Sequence, residues 1–280
     1  MLIKAGVATL DPAVLVLIRT GSASVFLLAV ILLTRRRPFG GIRRRFPGFL
    51  FMAVTGSVIP FTAIAWGELH ISSGLAAIFN ATTPLWTAII AYWLTPNERP
   101  SPLNYLGVAA GFAGTGILIA PQLGDPLHAG VLGSLAAIAG AASYAVAAIG
   151  QRRLLPGVDP IEGSFWQMAL ATILILPIAA PALTHAHPTL VSVGASLVLG
   201  VAGSGVASIL YYFLINSLGA TRGASVTFLI PVTAVFWGSL LFQERITLPI
   251  LGGMAVILLG VFLTSVRRRQ TAATEARPAA

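Results

Sequence analysis

Residues 98–114 read ERPSPLNYLGVAAGFAG, and residues 244–260 read ERITLPILGGMAVILLG. The stretches begin 146 residues apart, and each places glycines nine and sixteen positions after its glutamate: Gly107 and Gly114 after Glu98, Gly253 and Gly260 after Glu244. Each follows an apolar run with a proline inside it, Pro84 or Pro231. A chain that repeats such a pattern between long apolar runs reads as a two-fold internal repeat within a membrane.

Composition leads to the same medium. Hydrophobic residues make up 56% of the chain and charged residues 9%, with a mean hydropathy of +0.90. Soluble domains carry about 25% charged residues. A 280-residue globule cannot hide this much apolar surface from water, so the surrounding solvent is lipid. The net charge of +9 is therefore no argument for nucleic acid; its meaning lies in where the cations sit. With no cysteine, disulfides, thiolate metal sites and cysteine nucleophiles are excluded.

A spanning helix needs roughly 20 mostly apolar residues. Nine runs meet this: about 12–34, 47–68, 72–94, 102–121, 129–150, 161–183, 189–213, 219–242 and 248–266. The fold class is all-α and polytopic, and no connection is long enough for a soluble domain. With the C-terminal Arg267-Arg268-Arg269 placed in the cytoplasm, helix counting puts Arg222, Arg152, Arg153, Arg99 and the cluster Arg35–Arg45 on the same side. Together with Arg277 these are 14 of the 17 Lys and Arg, as the positive-inside rule requires. The opposite loops, PQLGDPLHA (121–129) and THAHP (184–188), carry no Lys or Arg. His70, His128, His185 and His187 all fall on that outer side.

Met1–Leu10 is too short to span and too apolar for a tail, and Lys4 and Asp11-Pro12 break any signal-peptide pattern. Five runs follow residue 129 and four precede it, so this stretch reads as the end of a first helix. Five helices per half is an odd number, so the second copy enters from the opposite side. Glu98-Arg99 then lies inside and Glu244-Arg245 outside, as in an inverted repeat.

Two longer strings carry a family resemblance. Residues 64–119 read IAWGELHISSGLAAIFNATTPLWTAIIAYWLTPNERPSPLNYLGVAAGFAGTGILI, and residues 215–263 read INSLGATRGASVTFLIPVTAVFWGSLLFQERITLPILGGMAVILLGVFL. These resemble the EamA family of the drug/metabolite transporter superfamily. The resemblance implies ten helices in two inverted five-helix halves around a central cavity, with no cofactor. It divides the chain into a first repeat over 1–121, a second over 129–266 and a cytoplasmic tail over 267–280. It further implies export or exchange of amino acids, metabolites or small toxic compounds across a bacterial inner membrane.

Candidate site residues follow from the helices themselves. Prolines at matching mid-membrane positions free backbone carbonyls near the midplane, the best sequence pointer to a carrier's binding site. Asn80, Thr83 and Thr87 share the face of Pro84, and Thr227 lies one turn before Pro231. Ser204, Ser208, Tyr211 and Tyr212 make one helical face, Tyr144 and Gln151 another, Ser164 and Gln167 a third. Each face can line a wet cavity or bond a neighbouring helix, and Tyr212 and Gln151 also suit an interfacial belt. Trp66 and Trp86 can stack on a planar substrate, while Trp93 suits the belt. Arg19 and Glu68 are the charges at membrane depth, where an ionisable group needs a partner or water. Arg19 can hold a substrate carboxylate, pair with Glu68 or reach the surface; Glu68 is the acid to nominate for proton coupling. The Glu-Arg pairs themselves read as interfacial helix caps, and the glycines beyond them as points of close helix approach.

These observations favour a secondary carrier of small molecules by alternating access. A membrane-embedded enzyme would need His, Asp or Glu clustered at membrane depth, and here they are scattered. No GxxxxGK[ST] loop for a self-contained pump is present. A non-transporting scaffold would not need mid-helix prolines and polar stripes. The lipid bilayer and a small-molecule substrate are the partners implied; monomer and homodimer both remain open.

Overall fold

Aspartate-proline pairs start two of the central helices. In the computed structural model, which describes residues 1–35, 42–94, 102–121, 129–218, 233, 235–237, 239–240 and 246–265, α1 (Leu2–Val7) leads into α2 (Pro12–Leu33). The Asp11 side chain caps α2 by accepting from the Ala13 amide at 2.8 Å, and Pro12 supplies a first-turn φ without an N–H to satisfy. Then come α3 (Ile42–Ala53), a π-helical turn at Val54–Val58, α4 (Ile59–His70), α5 (Ser73–Asn80), α6 (Thr83–Leu94) and α7 (Pro102–Ile119). The second half runs α8 (Ala129–Leu154), α9 (Pro160–Leu183), α10 (Leu190–Gly200), a second π-helical turn at Val201–Val206, α11 (Ala207–Leu218) and α12 (Leu248–Ser265). Asp159 caps α9 as Asp11 caps α2, accepting from Ile161 at 3.0 Å and Glu162 at 3.3 Å.

The described residues contain no strand. Among the described residues, six helical stretches are long and apolar enough to cross a membrane: 12–33, 43–70, 73–90, 129–154, 160–183 and 190–214. Leu103–Ile119 and Leu248–Thr264 are shorter apolar helices. Large apolar side chains on these helices point outward, Val25 (70% exposed), Ile173 (65%) and Phe262 (59%) among them. Such a surface suits lipid and not water. The expected run 219–242 lies largely outside the described residues, as do Glu98, Thr227, Pro231 and Glu244.

Three expected spans are interrupted. The run 47–68 changes to π geometry just before Pro60, whose missing N–H cannot close an α-turn onto Gly56. The run 189–213 does so at Val201–Val206, where Gly203 and Gly205 ease the wider turn. The run 72–94 breaks at Ala81–Thr82, between α5 and α6. Pro84 has no N–H for the Asn80 carbonyl, and the Thr83 hydroxyl takes that acceptor, while Thr82 and Thr87 add bonds to carbonyls around the break. Thr83 Oγ1 donates to Asn80 at 2.7 Å, Thr82 Oγ1 to Phe79 at 2.6 Å and Thr87 Oγ1 to Thr83 at 2.9 Å.

Helices that correspond in the two halves pack on each other. Helices α7 and α12 cross with the doubled glycines in contact. A Cβ on Gly107 would lie 2.5 Å from the Gly260 carbonyl oxygen, and one on Gly114 would lie 2.9 Å from that of Gly253. The first glycine of each copy thus meets the second glycine of the other, which requires the equivalent helices to run antiparallel. Asn104 Nδ2 extends the seam, donating to the Thr264 carbonyl at 2.8 Å. Helices α2 and α9 pair likewise through Val14, Leu15, Ala23, Leu27 and Ile31 on one side and Phe165, Met168, Ile175 and Ala179 on the other. Between them Ser24 Oγ lies 3.3 Å from Thr172 Oγ1. Ser24 and Thr172 stand 148 residues apart, as do Asp11 and Asp159, so each meets its own repeat equivalent on a pseudo-two-fold axis.

The N-terminal stretch is built into this frame. Gly6 of α1 lets the helix close on Leu15 and Ser196. Lys4 Nζ donates to the carbonyls of Glu68 at 2.6 Å and Ile71 at 2.9 Å, which places a cation at the C-terminus of α4.

Candidate functional site

Arg19 and Gln167 each stand eight residues beyond their capping aspartate, Asp11 or Asp159. At 1.5 Å per residue each is about 12 Å along its helix from the cap. Because the halves are inverted, the two helices enter from opposite faces, and each side chain lies five residues before the Ser24–Thr172 crossing, on opposite sides of it. Both are buried, at 7% and 5% exposure.

Each reaches across to the other half. Arg19 Nε donates to Ser204 Oγ at 2.6 Å, and Gln167 Nε2 donates to Ser57 Oγ at 2.9 Å. The two serines are the fourth residues of the two π-helical turns, in the strings VTGS (54–57) and VAGS (201–204), 147 residues apart. Gly56 lets Gln167 in: a Cβ there would lie 2.9 Å from its Nε2. Gly200 does the same for α2, since a Cβ there would lie 2.5 Å from the Arg19 carbonyl oxygen. Gln167 Oε1 also accepts from the Tyr212 hydroxyl at 3.0 Å. The Arg19 guanidinium carbon sits 3.5 Å above the Phe61 ring, a cation–π contact. Phe61 in turn meets Tyr144 edge-on, with ring centroids 6.3 Å apart.

Tyr144 joins this cluster to the broken helix, since it packs against both central apolar groups, one of which holds Ile78, Phe79 and Leu85. Thr83, Pro84 and Thr87 are buried around the break. The Asn80 side-chain oxygen is buried without a hydrogen-bond partner. A polar atom left unsatisfied at such a place is a natural ligand contact.

Other candidates stand apart. Glu68, 3% exposed, does not pair directly with Arg19; Ser73 Oγ donates to its carboxylate at 3.0 Å. Trp66 is 39% exposed and rests edge-on against His70, so it lies outside the Arg19 cluster. Trp86 packs against Phe112 with perpendicular rings, and the Trp93 side chain lies outside the described residues. Ser208 is half-buried and bonds its own helix at the Gly205 carbonyl. Tyr212 and Gln151 face into the protein: each is 1% exposed, and both polar atoms of the Gln151 amide lack a partner among the described residues.

Of the two tyrosines expected on the Ser204 face, it is Tyr212 that turns inward. On an uninterrupted α-helix, at about 100° per residue, Tyr211 lies in line with Ser204 and Tyr212 at the edge of that face. The π-helical turn inserts a residue, so position 212 comes round to that face and Tyr211 is only partly buried. Phe61 and Ser57 are the additions, and Ser204, already part of the polar face, gains Arg19 as its partner. The doubled Val-x-Gly-Ser and doubled Asp-Pro are the signals that would have found them.

Fold and cluster together define a polytopic helical membrane protein of two inverted repeats, joined by buried polar side chains at their centre. The pattern of the EamA-like transporter family matches residues 1–120 and 131–266, and the chain belongs to that family. It is 22% identical over 267 residues to an uncharacterized transporter of Archaeoglobus fulgidus, covering 95% of this chain and 93% of that one. It is 27% identical over 271 residues to the uncharacterized inner membrane transporter YedA of Escherichia coli (strain K12), covering 94% and 85%. It is also 27% identical over 243 residues to the probable terminal-alkyne amino-acid exporter of Streptantibioticus cattleyicolor, covering 84% and 79%. A solved crystal structure, 17% identical, superposes with a TM-score of 0.68 over 94% of this chain and 90% of its own, showing the same fold. The protein is a multi-pass membrane transporter.

Proposed function

We propose that this transporter is a secondary carrier of the bacterial inner membrane that exports or exchanges small metabolites, amino acids among them, by alternating access. The observation that carries this reading is the buried polar cluster. Arg19–Ser204, Gln167–Ser57 and Tyr212–Gln167 bind helices together at mid-depth, the first two across the repeats. Polar side chains in a span are costly unless they bond one another or meet a substrate path. Bonds that cross between inverted halves are also those that must rearrange when the halves rock. The substrate-facing set is Arg19, Tyr144, Gln167 and the break at Asn80, Thr83, Pro84 and Thr87. Glu68 is the acid for proton coupling if transport is proton-linked. The C-terminus is cytoplasmic, in keeping with the Arg-rich loops.

Reconstitution into lipid vesicles tests this directly. The wild type exchanges a labelled amino acid across the vesicle wall, while Asn80→Leu and Pro84→Ala insert normally and lose most of the exchange. Wild-type rates from both variants would sink the assignment of the break to the substrate path.

A further inference from the structure

Granted that the protein is a carrier, a difference between its two repeats narrows the substrate class, and the inference rests on that carrier reading. Arg19–Ser204 and Gln167–Ser57 are one contact made twice, but their surroundings differ. Gln167 uses both ends of its amide: Nε2 donates to Ser57, and Oε1 accepts from Tyr212, eight residues past Ser204. The residue eight past Ser57 is Ala65, fully buried, with Phe61 one turn before it on the same face of α4. Both serines lie within a π-helical turn, Val54–Val58 and Val201–Val206, and the residue eight further on follows it in each case. Arg19 therefore has the serine and lacks a tyrosine at the position equivalent to Tyr212, with Tyr144 within electrostatic range but not hydrogen-bonded to it.

Among the described residues its remaining donors find no acceptor. Nη1 and Nη2 make no hydrogen bond to the described residues, and no carboxylate among these lies within 4 Å of the guanidinium. Glu68 acts on it only at longer range. Phe61 covers one face of the group, its ring centroid 3.5 Å from the guanidinium carbon. A cation out of reach of bulk water needs acceptors for its donors. The planar fork matches a carboxylate through two parallel hydrogen bonds.

We infer that the substrate carries a carboxylate, and that it sits beside Arg19 in the place the Tyr212 hydroxyl holds beside Gln167. Phe61 and Tyr144 then form the aromatic wall against the rest of the molecule. The transported compounds are small carboxylates, amino acids included, and neither neutral compounds nor simple cations.

The test is thermal unfolding of the purified full chain in detergent, monitored by tryptophan fluorescence. The probes are L-amino acids and 2-hydroxy acids, each paired with its primary amide. One or more acids should raise the wild-type midpoint by about 5 °C at saturation while the matching amides leave it unchanged. Arg19→Gln should abolish the response, and Tyr212→Phe, which alters the other half's pair, should keep it. Ala65→Tyr, where it folds, brings a hydroxyl to Arg19 and should remove the response. Acid and amide acting alike, an undiminished response in Arg19→Gln, or no acid acting on the wild type would overturn the inference. Vesicle exchange separates it from the carrier reading. Transport unchanged in Arg19→Gln keeps the carrier and removes the carboxylate; binding of acids without transport does the reverse.

Discussion

The cost of a buried serine separates its roles at Ser57 and Ser204. Both hydroxyls accept from the opposite repeat, but Ser204 serves a charged donor and Ser57 a neutral one. Interhelical hydrogen bonds in membranes contribute about 0.6–2 kcal/mol, and bonds to charged groups lie toward the strong end. Ser204→Ala should therefore lower stability more than Ser57→Ala, each within that range, as read by thermal unfolding in detergent. Combining Ser204→Ala with Arg19→Gln should cost less than the sum of the two, because the second change removes a donor already orphaned. Strict additivity would mean that the two side chains do not act as a pair. Arg19 and Gln167 could be nominated from the sequence because a charge or amide inside an apolar run stands out alone. Their partners were less legible: Ser204 stands out only as part of a polar face and Ser57 not at all, because serine is common in such runs and which one faces inward depends on helix rotation. Two π-helical turns alter that rotation, so a regular 3.6-residue period places Tyr211 where Tyr212 belongs.

At the scale of the helix, glycines report how closely neighbours come. Gly107→Ala puts a methyl 2.5 Å from the Gly260 carbonyl oxygen, a backbone atom that cannot step aside cheaply. Gly116, on the same helix, has nothing within 4 Å of its would-be Cβ. Gly107→Ala should therefore destabilise by about 1–3 kcal/mol, as overpacking does. Gly116→Ala should be neutral or gain up to about 1 kcal/mol from helix propensity. Equal effects in thermal unfolding would contradict the close crossing of α7 and α12. Pro84 belongs to the same scale. It is visible in the sequence, and so is the hydrogen bond it denies to the Asn80 carbonyl. That the chain would stop its helix for two residues was less legible, since the outcome depends on Thr82 and Thr83 offering hydroxyls to the exposed carbonyls.

For the molecule as a whole, the absence of cysteine makes topology directly measurable. Single cysteines at Gly157, between α8 and α9, and at His185, between α9 and α10, should label from opposite sides with a membrane-impermeant maleimide. His185→Cys should react in intact cells and Gly157→Cys only after they are opened. The reverse pattern would invert the proposed orientation. The pair Asn104→Cys and Thr264→Cys should cross-link across the seam between α7 and α12, because Asn104 already touches the Thr264 backbone. Asn104→Cys paired with Gly253→Cys should not, because antiparallel helices hold those positions far apart. The repeat and its inversion were readable from spacing and an odd helix number. Which helices meet at the axis was not, since spacing within each copy carries no information about contacts between copies.

The glycine seam has one more implication. Its two halves are the same patch met by itself upside down, Gly107 against Gly260 and Gly114 against Gly253. A surface complementary to its own rotated image is what a homodimer needs. A single half inserted in both orientations would present the identical interface to its twin. The covalent link between the halves then fixes one of each orientation, leaving each copy free to diverge: an arginine here, a glutamine there.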